Sequence, residues 1–184
     1  MIKMFLRCWL LTLALLLAAP PADAATCDAA AFVASAGKAF DRAARSGSAA
    51  GLASAIDRFA DMNAIAMFSL GRYRGTLPKA REREYVALTR AFMGTFMLEY
   101  GADLRAGNLK IVDCSGPPSA TIVNAQLDGG GRMSFKVYRA GGGWQVRDMK
   151  VRGIWLVQQM RSNFVGTINR GGGDIDELFK YLRS

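Results

Sequence analysis

Few side chains of this sequence could carry out chemistry. The 184 residues include no histidine, which excludes Ser-His-Asp and Cys-His catalytic units, histidine-ligated metals and haem. Three cysteines are too few for a four-cysteine zinc or iron–sulfur site. Asp148, which is followed by an apolar segment, is the one candidate general base, but no second acid converges on it and a hydrogen-bonded turn is the favoured role. We therefore predict no catalytic residue and no metal ligand.

The first 24 residues have the layout of a secretory signal peptide. Lys3 and Arg7 form a basic start, an apolar core runs over 9–17, and Ala22-Asp23-Ala24 offers a small-x-small cleavage site. The core is short for a membrane span. We predict a cleaved signal peptide over 1–24 and a single mature domain over 25–184; an uncleaved anchor is the alternative.

Export and cleavage change how the number of cysteines and the net charge are interpreted. Cleavage removes Cys8 and leaves Cys27 and Cys114, which form a disulfide candidate in an oxidising compartment, with two separate thiols as the alternative. The formal charge of +9 falls to +8, with 22 basic and 14 acidic side chains left. An exported basic protein seldom meets nucleic acid, so we predict none. The charge suits anionic membrane surfaces or acidic proteins, or it serves solvation alone.

The mature chain changes from helical to alternating hydrophobic periodicity after Gly107. Apolar residues at helical spacing predict an alanine-rich first helix, two shorter helices and a long helix from Thr76 to about Ala102. Alternation then predicts four strands joined by glycine-rich hairpin turns, and a helix from Gly153 to Asn169 and a short final helix follow. The predicted strands cover 109–114, 120–127, 132–139 and 143–150.

This order predicts an α+β fold with a largely antiparallel four-stranded sheet and helices packed on one face. The long helix is apolar over more than one face, with Tyr85, Leu88 and Phe92 in one row and Met93 and Met97 in the next. Such a helix must be covered by several neighbours or must face an apolar ligand. We therefore predict that the fold encloses an apolar cavity.

Several segments together resemble the MlaC-like, or toluene-tolerance, family of periplasmic phospholipid-binding proteins. One is Leu70-Gly71-Arg72-Tyr73 followed by the long basic helix; the other is the strand 144–153, which contains Asp148 and Gly153 and leads into Ile154-Trp155-Leu156-Val157 and Arg161-Ser162-Asn163-Phe164. The similarity extends from about residue 30 to 182. Arg74, where an aromatic residue is common, and Ile154, where a serine is usual, depart from the family pattern.

The resemblance implies a periplasmic carrier without a cofactor, whose bound ligand is a phospholipid. Its implied partners are an outer-membrane lipoprotein assembly and an inner-membrane ABC transporter complex with a lipid-binding ring; hopanoids are an alternative ligand. The predicted role is to move lipid between these assemblies and so maintain outer-membrane lipid asymmetry. The predicted lipid-binding residues are Tyr73, Phe92, Phe96, Val123, Leu127, Phe135, Val137, Trp155, Met160 and Phe164, with Arg72 and Arg161 near the head group.

Two other functions are compatible with the residues. An isomerase or dehydratase on a cone-shaped α+β fold would use Asp148 as its base. An envelope interaction protein without a ligand would instead pack its apolar faces on a partner. Bound phospholipid in the purified protein would distinguish the carrier from both.

Overall fold

A computed structural model describes residues 27–100 and 109–184. Within these ranges the chain forms helices α1 to α6 and strands β1 to β5. The helices are α1 (Asp28–Arg45), α2 (Ala49–Phe59), α3 (Met62–Ser69), α4 (Glu82–Tyr100), α5 (Leu156–Arg170) and α6 (Asp176–Arg183). The strands are β1 (Leu109–Ser115), β2 (Thr121–Leu127), β3 (Arg132–Ala140), β4 (Gly143–Val151) and β5 (Ile154–Trp155). The signal peptide predicted over 1–24 lies outside the described residues.

The strands form one antiparallel meander in the order β1-β2-β3-β4-β5, which confirms the predicted fold class. The β3–β4 hairpin turns through Gly141 and Gly142, whose φ angles of 57° and 83° are typical of a two-residue type I′ turn. Val123 and Phe135 face each other on the covered side of the sheet, whereas Asn124 and Ser134 pair on the other side. The helices therefore pack on one side of the sheet.

The predicted starts of two helices, α4 and α5, were wrong. The long helix begins at Glu82 and not at Thr76, because Gly71–Thr76 and Lys79–Arg81 form 3₁₀ turns on either side of Pro78. Its predicted end near Ala102 lies outside the described residues.

The sheet has five strands and not four, because β5 precedes α5. Arg152 and Gly153 have φ angles of 49° and 85° and turn the chain back, so that Ile154 pairs with Val151. The helix predicted from Gly153 therefore starts at Leu156.

Side-chain hydrogen bonds fix the starts of two helices. Ser48 accepts from the backbone N–H of Gly51 at 3.1 Å at the start of α2, and Asp61 accepts from Ala64 at 2.9 Å at the start of α3. Before the last helix, Asp174 accepts from the N–H of Asp176 at 2.9 Å. These caps satisfy donors that a helix cannot pair internally.

The buried residues within the described part of the chain form three apolar clusters. The first joins α3, α4, α5 and α6 around Tyr85 and Phe164; the second packs α1 on the sheet; the third joins α2, α3 and α4 around Leu52 and Met97. In the first, the Tyr85 hydroxyl lies 2.7 Å from Ser69 Oγ, and burial raises the pKa of Tyr85 to about 12. The long helix α4 thus contributes to two separate cores.

Candidate functional site

An apolar cavity lies where the three clusters meet. Its volume is about 160 Å³, and its walls are α1, α2 and α4, the covered side of the sheet, and the start of α5. The predicted apolar cavity is therefore present, and it is partly open to solvent. Apolar side chains at the centre of the walls are Ala36, Phe40, Leu52, Ile56, Phe92, Met93, Met97, Leu127, Met133, Phe135, Met149 and Met160.

Methionine is concentrated at this cavity. Five of the nine methionines of the sequence line it, namely Met93, Met97, Met133, Met149 and Met160. A methionine side chain has three rotatable bonds and a polarizable sulfur, so it adapts to irregular apolar surfaces. The walls therefore suit an apolar ligand whose shape varies.

The polar groups at the cavity offer little scope for catalysis. They are Asp41, Asp148, Gln159 and Asn163. Gln159 donates its amide to Asn163 Oδ1 at 3.2 Å, and Asp41 Oδ2 accepts from Arg45 Nε at 2.9 Å. Within residues 27–100 and 109–184, no group of three or more His, Cys, Asp or Glu side chains could hold a metal ion.

Asp148, the candidate base, accepts hydrogen bonds from two backbone segments. Its Oδ1 accepts from the N–H of Met149 at 2.7 Å and from the N–H of Val157 at 2.8 Å, near the start of α5. Burial raises the pKa of Asp148 above its ordinary value, and these backbone donors oppose the shift. The hydrogen-bonded role that we predicted for Asp148 is the one that its geometry shows.

Five of the ten predicted lipid-binding residues line the cavity. Phe92 and Phe96 do so from α4, Leu127 and Phe135 from the sheet, and Met160 from α5. Phe92 also contacts the first apolar cluster, with its ring centroid 5.4 Å from that of Phe164. These five residues are brought together by three elements far apart in the sequence.

The other five do not line the cavity. Val123 and Val137 point to the covered side of the sheet but are fully buried in the cluster that α1 forms with it. Phe164 is fully buried in the first cluster. The Tyr73 hydroxyl donates to Asn169 Oδ1 at 2.6 Å, and Trp155 lies on β5 with Lys150 Nζ 5.8 Å from its ring centroid.

Arg72 and Arg161, which we predicted near the head group, lie in a separate cleft of about 250 Å³. Gln158, Ser162 and Val165 complete this cleft on a different side of α5 from the cavity. Arg72 hydrogen-bonds with Asn169, and the Arg161 guanidinium lies 4.7 Å from the ring centroid of Phe68. The two arginines therefore do not form the mouth of the cavity.

The sequence reasoning missed the wall formed by α1 and α2. Small residues such as Ala36, Gly37 and Ala44 let α1 lie close to the sheet; a Cβ on Gly37 would be 3.1 Å from the Leu109 side chain. The apolar residues of α1, among them Ala36 and Phe40, do recur at helical spacing, but this periodicity shows only that one face is buried and not that it lines a cavity.

The predicted disulfide is formed. Cys27 and Cys114 are bonded with their Cα atoms 6.0 Å apart, and the bond joins the start of α1 to β1. It holds the start of α1 on the sheet. None of the helices in the described residues is long and apolar enough to cross a membrane.

Comparison with known proteins gives one family and one fold. A family model described as MlaC protein matches residues 27–184. The solved structure of the phospholipid-binding protein from Ralstonia solanacearum, in complex with a phospholipid, is similar with a TM-score of 0.73 and 17% sequence identity. The match covers 85% of this chain and 96% of that one, and at this identity it shows the fold alone. A search of curated proteins found no match.

Proposed function

This chain belongs to the MlaC protein family, and from that premise we propose that it is a phospholipid carrier of the periplasm. The observation that carries the proposal is the methionine-rich apolar cavity at the junction of the three clusters. The similar fold of a protein solved with a phospholipid supports the choice of ligand. The proposed binding residues are the cavity-lining ones, and of those predicted these are Phe92, Phe96, Leu127, Phe135 and Met160.

A carrier is needed because acyl chains are costly to expose to water. The cost is about 0.8 kcal/mol for each methylene group, or roughly 25 kcal/mol for a two-chain lipid. An apolar cavity offsets this cost while the lipid crosses an aqueous space. We propose export by the cleaved signal peptide, and passage of lipid between an outer-membrane assembly and an inner-membrane ABC transporter with a lipid-binding ring.

The cavity must widen to take such a lipid. Its volume of about 160 Å³ is comparable to that of an engineered protein cavity of about 150 Å³ that holds benzene. We propose that the walls can separate, because the three clusters around the cavity have no fully buried residue in common and are bridged by partly buried ones, among them Met93 and Met149. Flexible methionine side chains on several walls would allow them to separate without leaving fixed voids.

The lipid content of the purified protein tests the proposal. Protein made with its signal peptide and purified from the cell envelope should carry phospholipid near one molecule per chain, measured by native mass spectrometry and by chloroform extraction. Bare mass throughout would contradict the proposal and favour a ligand-free interaction protein.

A pair of matched variants tests whether the cavity is the site. Phe96 and Phe68 are both helical and both 37% exposed, but only Phe96 lines the cavity. F96D places a charge in the wall and should reduce the bound lipid several-fold. F68D leaves the cavity unchanged and places its carboxylate near Arg161, so it should keep the lipid content of the unmodified chain. Equal loss in both variants would mean that the lipid lies elsewhere.

A further inference from the structure

One carboxylate oxygen at the cavity has no partner. Asp41 lies on α1 among the cavity-lining residues Gly37, Phe40 and Ala44. Its Oδ2 accepts from Arg45, but its Oδ1 is buried and receives no hydrogen bond from the residues that the structure describes. A buried acceptor without a donor is unfavourable and rare in folded proteins, so it calls for a donor from water or from a ligand.

The polar neighbours at the cavity do not meet this need. Asp148 is itself an acceptor, and its Oδ1 is occupied by two backbone N–H groups. Gln159 donates to Asn163. Asn163 also lines the cavity, but its amide N–H groups make no hydrogen bond to Asp41 Oδ1, and the other lining side chains among the described residues are apolar. Among the described residues no hydrogen bond reaches Asp41 Oδ1, and the side chain is 27% exposed, so a molecule that occupies the cavity can supply the donor.

We propose that Asp41 Oδ1 accepts a hydrogen bond from a primary ammonium group on the head of the bound phospholipid. This inference rests on the proposed function, which supplies the lipid. An ammonium group offers both a positive charge and N–H donors, and charge-assisted hydrogen bonds are the strong ones. A choline head has the charge but no N–H, and a glycerol head has hydroxyl donors but leaves the lipid anionic beside a carboxylate. Asp41 thus selects ethanolamine-type heads.

A methylation series separates hydrogen bonding from charge. Phosphatidylethanolamine, its N-methyl and N,N-dimethyl forms and phosphatidylcholine, all with the same acyl chains, keep one positive charge and present three, two, one and no N–H groups. Protein purified from the envelope is incubated with vesicles containing equal amounts of the four lipids and re-isolated. Mass spectrometry then gives the bound amounts. We expect the first three to exceed phosphatidylcholine by roughly tenfold, with the drop at the last methylation.

Three variants assign the preference to Asp41. D41N keeps the shape and an uncharged, weaker acceptor oxygen, and should reduce the ratio of ethanolamine to choline lipid several-fold. R45A removes the exposed partner of Oδ2 and leaves Oδ1 in place, so the preference should persist. D57N is a matched control, because Asp57 pairs with Arg90 at 3.3 Å and does not line the cavity.

The outcomes separate this inference from the function on which it rests. Lipid bound without preference in the unmodified chain would overturn the role of Asp41 and leave the carrier intact. A graded decline with head-group size, unchanged in D41N, would indicate steric selection and would also overturn it. No lipid of any kind bound to the unmodified chain would instead overturn the carrier function, and the inference with it.

Discussion

Gly94 lies on α4 in close contact with the backbone of α2. A Cβ at this position would be 2.5 Å from the carbonyl oxygen of Ala49, 3.0 Å from Ala53 Cβ and 3.2 Å from Ala53 N. The nearest atom belongs to the backbone and cannot rotate away. Gly94→Ala therefore forces the two helices apart by about half an ångström or more. Since both helices line the cavity, this contact also sets the spacing of its walls.

Two opposing terms decide the effect of Gly94→Ala on stability. Replacing glycine by alanine inside a helix normally stabilises by about 1 kcal/mol. Inserting a methyl group into a closely packed site costs about 1–3 kcal/mol. Because the clash is with a carbonyl oxygen, we expect the upper part of that range and a net loss of about 1–2 kcal/mol in the free energy of unfolding.

Gly166 provides the matched control. It lies inside α5, and a Cβ there would meet only the end of the flexible Arg170 side chain, at 3.4 Å from Nη1. Gly166→Ala should therefore raise the free energy of unfolding by up to about 1 kcal/mol. Urea unfolding followed by circular dichroism, with the disulfide intact, measures both variants. Gly94→Ala at least as stable as the unmodified chain, with Gly166→Ala behaving as expected, would refute the close approach of α2 and α4.

Two further predictions concern Asp148 and the disulfide. Because burial raises the pKa of Asp148 above 3.8, the folded chain binds this proton more tightly than the unfolded chain, and the carboxyl's contribution to stability falls as the pH rises from about 4 through its folded pKa. Urea titrations should show that fall reduced in D148N, and an unchanged pH profile would contradict it. Replacing Cys27 and Cys114 by alanine should lower the free energy of unfolding by roughly 4 kcal/mol, since the bond spans 87 residues. Dithiothreitol should then destabilise only the unmodified chain, and equal sensitivity of both would exclude a stabilising bond.

Periodicity predicted most of the fold, and backbone conformation explains the rest. The four long strands and the order of helices follow from alternating and helical spacing, which are properties of side chains. Strand β5 depends on Arg152 adopting a positive φ angle before Gly153, and only the glycine signals such a turn. The 3₁₀ turns around Pro78 likewise reflect local backbone geometry. These features carry no hydrophobic period.

Periodicity also predicted only part of the candidate site. Alternation assigns Val123, Leu127 and Phe135 to the same covered side of the sheet. It does not say which of them α1 covers. The first half of α1, with Val33, packs on Val123, whereas its second half lines the cavity with Leu127 and Phe135. The division is set by where one helix lies across the sheet, which is a tertiary property.

The two apolar rows of α4 explain why a cavity exists at all. Tyr85, Leu88 and Phe92 pack in the first cluster, Met97 belongs to the third, and Met93 packs against both. We infer that a helix whose side chains pack into two clusters leaves space between these clusters. Phe92, Met93 and Met97 all line the cavity at this position. A single row would have allowed one continuous core. The breadth of the apolar arc on α4, visible in the sequence, is thus the physical origin of the space into which we propose that acyl chains enter.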